Sequence, residues 1–256
     1  MSFDVAAESY DRFMGRFSRL LSPQLADLAA VQAGQRAIDV GCGPGALTSE
    51  LVKRLGADAV AAVDPSEPFV DAATARHPGV DVRLASAEAL PYPADVFDVA
   101  LAQLVVHFMQ DPIGGLTEMA RVTRAGGVVV ACVWDHGGEQ GPLSLYWQAA
   151  RQLDPTVPDE SNLAGVREGH LATLFGAAGL GHIESTVLIA ELEMATFDDW
   201  WEPFTHGVGP AGAYFGRLDP GAQAALRERC RALAPDEPFT IRARAWAARG
   251  VVQPDH

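Results

Sequence analysis

Apolar residues recur along this chain with two different periods. Between residues 36 and 134, short apolar runs alternate with stretches of helical spacing. The runs are Ala37–Val40, Ala59–Val63 (ending at Asp64), Val80–Leu84, Val96–Leu104 and Val128–Trp134. The first helical stretch carries Leu47, Leu51, Val52 and Leu55. A second starts near Ser66 and runs to Arg76, closed by His77-Pro78-Gly79. A third spans Ile113 to Val122 behind Asp111-Pro112, and Arg124-Ala125-Gly126-Gly127 reads as the turn after it. Runs of four to nine residues bounded by turn signals read as buried strands. Five of them alternating with helices predict a parallel sheet covered on both faces, and right-handed crossovers restrict its topology further.

The flanks have other textures. Ser9 to Leu21 is amphipathic, with Tyr10, Phe13, Met14, Phe17, Leu20 and Leu21 on one face, and Pro23 is expected to start a second helix, Gln24 to Val31. After Asp135 comes a glycine-rich loop, then a helix from Leu143 to Leu153, a turn-rich stretch over 154–167 and a helix from Glu168 to Ala178. Ile183 to Leu192 alternates like a strand. Phe197 to His206 is aromatic-rich, Gly207 to Gly212 reads as a linker, and Pro220 to Ala234 as a helix. Phe239 to Ala247 alternates again. We expect one domain over 1–256: N-terminal helices (1–35), a core (36–135), lid helices with a sixth strand (136–237), and a last strand with tail (238–256).

The candidate chemistry starts where the first strand ends, at Asp39-Val40-Gly41-Cys42-Gly43-Pro44-Gly45-Ala46. Glycine serves where a backbone turns sharply or must approach a ligand, and a helix N-terminus offers free N–H groups. Gly41, Gly43 and Ala46 satisfy the dinucleotide fingerprint G-x-G-x-x-G/A. Gly41, Gly43 and Gly45 satisfy a tighter G-x-G-x-G with an acid two residues before it. The carboxylate of Asp39 would repel a pyrophosphate but suits a ligand carrying an ammonium and a sulfonium. On these residues the chain resembles the class I S-adenosylmethionine (SAM)-dependent methyltransferases of the UbiE-like small-molecule group, whose first motif is [D/E]-x-G-x-G-x-G. Ala87-Glu88-Ala89-Leu90-Pro91-Tyr92 and Phe97-Asp98-Val99 resemble further family segments.

The resemblance implies a doubly wound, Rossmann-like seven-stranded α/β sheet, mostly parallel with an antiparallel last strand, and helical lid insertions. It implies SAM as cofactor, with S-adenosylhomocysteine (SAH) as product. Asp39, Gly41, Cys42, Gly43 and Gly45 would form the cofactor turn. Asp64, with Pro65 beside it, follows the second strand, 23 residues after Gly41, where an acid meets a ribose hydroxyl pair; it also fits a helix N-cap, a task Ser66 can take instead. Ser86 stands where the family has an acid for the adenine, whereas the Ala87 amide contact needs no particular side chain. Glu88 faces solvent or holds the loop. Gln103 ends the fourth strand nearest the cofactor. Tyr10-Asp11-Arg12 matches a family helix that folds over the cofactor, so Tyr10 and Arg16 either contact it or pack.

Length and composition fix the class. The chain has 256 residues, 48% hydrophobic and 20% charged, ordinary for a globular protein. No apolar run approaches the roughly 20 residues of a membrane span, and Met1-Ser2-Phe3-Asp4 has no signal-peptide character. Three dispersed cysteines, Cys42, Cys132 and Cys230, have no zinc spacing and fit a reducing, cytoplasmic setting. We therefore expect no metal. Net charge is −14, from 33 acids and 19 bases, and Lys53 is the sole lysine. A nucleic-acid partner needs a basic footprint, and none is present. Richness in Ala, Gly and Arg points to a bacterial source.

Methyl transfer from a sulfonium needs orientation and exclusion of water, and a base only where the acceptor must lose a proton. His107, at the sheet edge, is the candidate base, or else packs on Phe108; His136, His206 and Tyr146 are runners-up. Trp134, Tyr146, Trp200, Trp201 and Tyr214 either line a pocket for a flat apolar acceptor or pack the lid. The expected function is methylation of a small, largely apolar or aromatic metabolite. The alternatives are an NAD(P)-binding oxidoreductase, or a non-catalytic SAM-binding protein.

Overall fold

The computed structural model describes residues 7–254. Its elements run α1 (Ala7–Arg12), α2 (Met14–Leu28), β1 (Ala37–Val40), α3 (Ala46–Leu55), β2 (Val60–Asp64), α4 (Glu67–Arg76), β3 (Asp81–Leu84), β4 (Phe97–Gln103), α5 (Pro112–Val122) and β5 (Thr123–Trp134). Then come α6 (Ser144–Leu153), α7 (His170–Ala177), β6 (Gly181–Met194), α8 (Phe197–Trp201), α9 (Gly209–Arg217), α10 (Pro220–Leu233) and β7 (Phe239–Val251).

All seven strands join one sheet in the order β3-β2-β1-β4-β5-β7-β6. β1 to β5 pair in parallel, and β7 lies antiparallel between β5 and β6. β1 and β2 are buried at every position, as strands covered on both faces must be. Edge strand β3 is mostly exposed. Leu21, Leu25, Leu47 and Leu51, from α2 and α3, belong to the apolar core on one side of the sheet. Leu116, Met119 and Phe175, from α5 and α7, belong to the core on the other. The strand order reverses between β1 and β4, which opens a crevice at their carboxyl ends.

Three expectations need correction. Pro23 does not start a helix; it lies inside α2. Its missing N–H costs one hydrogen bond, but Leu21, Ser22, Leu25 and Ala26 are buried on either side, and packing outweighs propensity. Gln24 also ties α2 to the edge strand β6, donating to the Ile189 carbonyl at 2.8 Å and accepting from its N–H at 3.2 Å. Residues Arg124–Gly127 form no free turn, but an irregularity near the start of β5: the register with β4 shifts there, and Gly126 has φ +76°. Gly207–Gly212 is not a linker throughout, since α9 starts at Gly209 with Pro210 in its first turn. No described helix is long and apolar enough to cross a membrane.

Candidate active site

The crevice holds one cavity of about 280 Å³. Its first wall is the glycine turn between β1 and α3. Gly41, Gly43 and Gly45 have φ of +74°, +53° and +94°, values that favour glycine. The Gly41 and Cys42 N–H groups both donate to the Val63 carbonyl, at 2.8 and 2.9 Å, which pins the turn to β2. A Cβ on Gly41 would lie 2.5 Å from the Val105 side chain, and one on Gly45 would lie 2.7 Å from His77; one on Gly43 would meet nothing within 4 Å. Packing thus demands the outer two glycines, while Gly43 leaves backbone open beside the cavity.

Asp64 lines the same cavity. Its Oδ2 accepts from the Gly43 N–H at 2.8 Å and its Oδ1 from the Ser66 N–H at 2.9 Å. The carboxylate therefore shapes the turn as well as facing the cavity. Each oxygen keeps further acceptor capacity, which matches a pair of vicinal hydroxyls. Burial raises its pKa. Pro65 and Tyr10 flank it in the wall, with the Tyr10 ring edge-on to Phe69 at 5.3 Å.

Ser86, Ala87 and Glu88 continue this wall. Glu88 accepts from the Gln110 N–H at 2.9 Å, so it holds the loop. At the end of β4 the non-glycine Leu104 has φ +63°, a conformation uncommon outside glycine and found at functional turns. It redirects the chain after Gln103, which donates to the Ser18 carbonyl at 3.1 Å and leaves Oε1 without a partner. His107 follows in a short 3-10 turn. Its ring lies 3.9 Å from Phe108, and its buried Nδ1 lacks a partner. Burial, then the neighbouring His136, hold its pKa well below the usual 6.5. His107 thus packs on Phe108 and also lines the cavity.

The rest of the wall comes from the end of β5 and from the lid. Trp134, His136, Glu160, Val208 and Pro210 line it. Trp134 Nε1 is buried without a partner. His136, only a runner-up by sequence, sits 6.1 Å from the His107 ring.

Several expected site residues lie elsewhere. Asp39 is beneath the turn, outside the cavity wall. Its Oδ2 accepts from Thr48 Oγ1 at 2.6 Å, its Oδ1 has no partner, and burial pushes its pKa up to about 7. Cys42 and Gly45 also stand behind the wall. Arg16 is not aimed at the cavity; its guanidinium binds both carboxylate oxygens of Asp199 in α8, at 3.0 and 3.2 Å. Of the five expected acceptor-site aromatics only Trp134 reaches the cavity. Tyr146 stacks on Phe204 at 4.5 Å and donates to the Ala211 carbonyl at 2.9 Å. Trp200 and Trp201 pack on the same Phe204, and Tyr214 on Trp147. Apolar aromatics are favoured inside a lid core as much as in a pocket. His206 pairs with Glu202 in the lid, outside the wall. Conversely, the cavity lining includes Glu160, from the turn-rich stretch, and Val208 and Pro210, at the start of α9, none of which carries a local sequence signal.

The wall fits SAM better than a dinucleotide. It offers open backbone at Gly43, spare acceptor sites on Asp64 and a free carbonyl oxygen on Gln103. No Lys or Arg lines it among the described residues, so nothing there neutralises a pyrophosphate. Comparisons with known proteins agree. Residues 38–131 match the family described as a methyltransferase domain. An uncharacterized methyltransferase of Schizosaccharomyces pombe is 33% identical over 150 residues, covering 51% of this chain and 54% of that protein. A malonyl-[acyl-carrier protein] O-methyltransferase of Erwinia billingiae is 35% identical over 129 residues, 50% of each chain. The chain thus spans about half the length of these curated relatives. Among solved structures, the YcgJ protein of Bacillus subtilis matches with a TM-score of 0.58 at 17% identity, over 91% of this chain and 98% of that one. A geranyl diphosphate C-methyltransferase of Streptomyces coelicolor, solved with Mg²⁺, geranyl diphosphate and SAH, matches with a TM-score of 0.54 at 17% identity, over 93% and 80%. At such identities the structures speak for the fold alone. Sheet order, glycine turn and sequence match coincide on one stretch: residues 38–131 match a methyltransferase domain, and they carry the sheet and turn that hold the cavity.

Proposed function

We propose that this protein transfers the methyl group of SAM to a small, largely apolar or aromatic acceptor enclosed beneath the lid. One observation carries the reading: a single cavity runs from the Gly41–Gly43 turn and Asp64 to Trp134, His136 and the lid residues Val208 and Pro210. Two ligands can meet in it, one on the sheet side and one on the lid side, near Gln103 and His107. When bound, SAM supplies an electrophilic methyl on a sulfonium. The chain supplies placement and a dry site. Asp64 and the Gly43 backbone position the nucleoside end, and the Ala87 amide borders it. Phe13, Leu143 and Trp134 give the acceptor end its apolar walls. His107, neutral near pH 7 because burial lowers its pKa, accepts a hydrogen bond or a proton at Nδ1 from the acceptor.

The acidic chain and the uncharged or acidic wall fit neither a nucleic acid nor a phosphorylated acceptor. Calorimetry with SAH and NAD tests the cofactor assignment, with binding expected for SAH alone. A screen with methyl-labelled SAM against small phenols, amines and acids tests the acceptor class. Methylation of RNA or protein only would refute the small-molecule reading.

A further inference from the structure

Resting on the methyl-transfer reading, we propose that the lid end of the cavity selects an acceptor bearing a basic amine, with Glu160 as the carboxylate that receives its ammonium. Glu160 is 3% exposed yet lines the cavity. Its Oε2 accepts from Trp147 Nε1 at 2.9 Å. Its Oε1 faces His136 Nε2 at 3.8 Å, beyond hydrogen-bond reach. A buried carboxylate without a paired cation is costly, so the free oxygen is a site that a ligand cation can fill.

The surrounding charges leave that place open. Asp159, next in the chain, is engaged by Arg151, which also reaches Glu139. Asp135, next to His136, is engaged by Arg244. His136 and His107 are held neutral by burial, the former near pKa 4. No Lys or Arg lines the cavity among the described residues. Three buried polar atoms without partners belong to residues that border it: Gln103 Oε1, His107 Nδ1 and Trp134 Nε1. Trp134 and Phe13 line the same cavity, and aromatic rings in its wall suit a cationic ligand. An acceptor with a carboxylate or phosphate would meet only like charge at this end.

Burial raises the Glu160 pKa to about 7. The amine stays protonated over the neutral range while Glu160 ionises, so affinity for the amine rises with pH. Between pH 6 and 8 the ionised fraction of a carboxyl with that pKa grows about tenfold.

The test uses three probes sharing one 4-hydroxyphenyl body: tyramine, 4-ethylphenol and 3-(4-hydroxyphenyl)propionate. Calorimetry with SAH-saturated protein reads their affinities. Tyramine should bind at least about tenfold more tightly than 4-ethylphenol at pH 8 and lose most of that advantage at pH 6, and the propionate should bind most weakly. In Glu160→Gln the amide oxygen still accepts from Trp147, SAH still binds, and tyramine falls to the affinity of 4-ethylphenol. Equal affinities in the wild type, an advantage that does not change with pH, or a preference that survives Glu160→Gln would each overturn the inference. So would failure of all three probes to bind. If Glu160→Gln does not fold, the wild-type pH series decides alone. Loss of SAH binding in the wild type would instead remove the methyl-transfer reading, and this inference with it.

Discussion

At the scale of single residues, the three glycines of the turn do different work despite one spelling. An alanine in a left-handed conformation costs about 1–2 kcal/mol. Gly41→Ala adds a clash with Val105, and overpacking costs about 1–3 kcal/mol more. It should lower the melting temperature far more than Gly43→Ala, whose Cβ has open space. Gly43→Ala should instead weaken SAH binding, because the proposed cofactor site occupies that space. Thermal unfolding beside calorimetry separates the two, and a Gly43→Ala protein with wild-type SAH affinity would remove Gly43 from the cofactor wall. Asp64→Ala should weaken SAH by roughly 1.5–3 kcal/mol, the range for hydrogen bonds to a charged group, and it also loosens the Gly43 and Ser66 amides. For His107, alanine should lower kcat by roughly 10²–10⁴ with little change in SAH affinity. Since its pKa lies below 6.5, any acidic limb that it causes in the rate profile falls below pH 6.5. A His107→Phe protein that methylates at the wild-type rate would leave orientation as the source of catalysis.

Elements explain why most lid aromatics are not pocket residues. α6, α8 and the 3-10 turn after α8 meet through Tyr146, Trp200, Trp201 and Phe204, and Trp201 is 5% exposed. Trp201→Ala should therefore destabilise by about 3–5 kcal/mol, seen as an early unfolding step, rather than selectively raise the KM for an acceptor. The Arg16–Asp199 pair joins α2 to α8, with side chains 24% and 38% exposed. Exposed pairs contribute at most about 1 kcal/mol. Arg16→Ala should leave the melting temperature nearly unchanged, and faster proteolysis near α8 is the expected sign of a loosened α2–α8 contact.

Across the whole molecule, buried titratable groups pull stability in opposite directions with pH. Asp39 and Glu160 have pKa values raised to about 7 by burial. The folded state then binds more protons than the unfolded one between about pH 4 and 7, so these groups lower stability as pH rises through that window. His136, with its pKa lowered to about 4, and His107 act the other way. The folded state leaves them neutral where the unfolded state protonates them, so they lower stability as pH falls below 6.5. Glu160→Gln removes one member of the first set. Its stability, relative to wild type, should increase from pH 4.5 to pH 7.5; denaturant titrations at the two pH values measure the difference, and a pH-independent difference would contradict the shifted carboxyl.

The amino-acid sequence by itself determined the parallel core. Runs such as Ala37–Val40 and Val128–Trp134 are almost wholly apolar because both sheet faces are covered, and the glycines of the turn mark positive-φ backbone that other residues disfavour. Both signals are local, so a linear reading finds them. It also named Asp64, Ala87, Gln103 and His107, which stand at strand ends where the topology exposes them. Tertiary structure alone decided the rest. Pro23 is helical because flanking residues pack on the sheet. Arg16 faces Asp199, 183 positions away in sequence, and Tyr146 seeks Ala211 rather than a ligand. Glu160 becomes part of the site only when its loop folds against His136 and Trp147. Such pairings depend on long-range packing and on the cost of leaving buried polar atoms unmatched, neither of which is written in any single stretch of the chain.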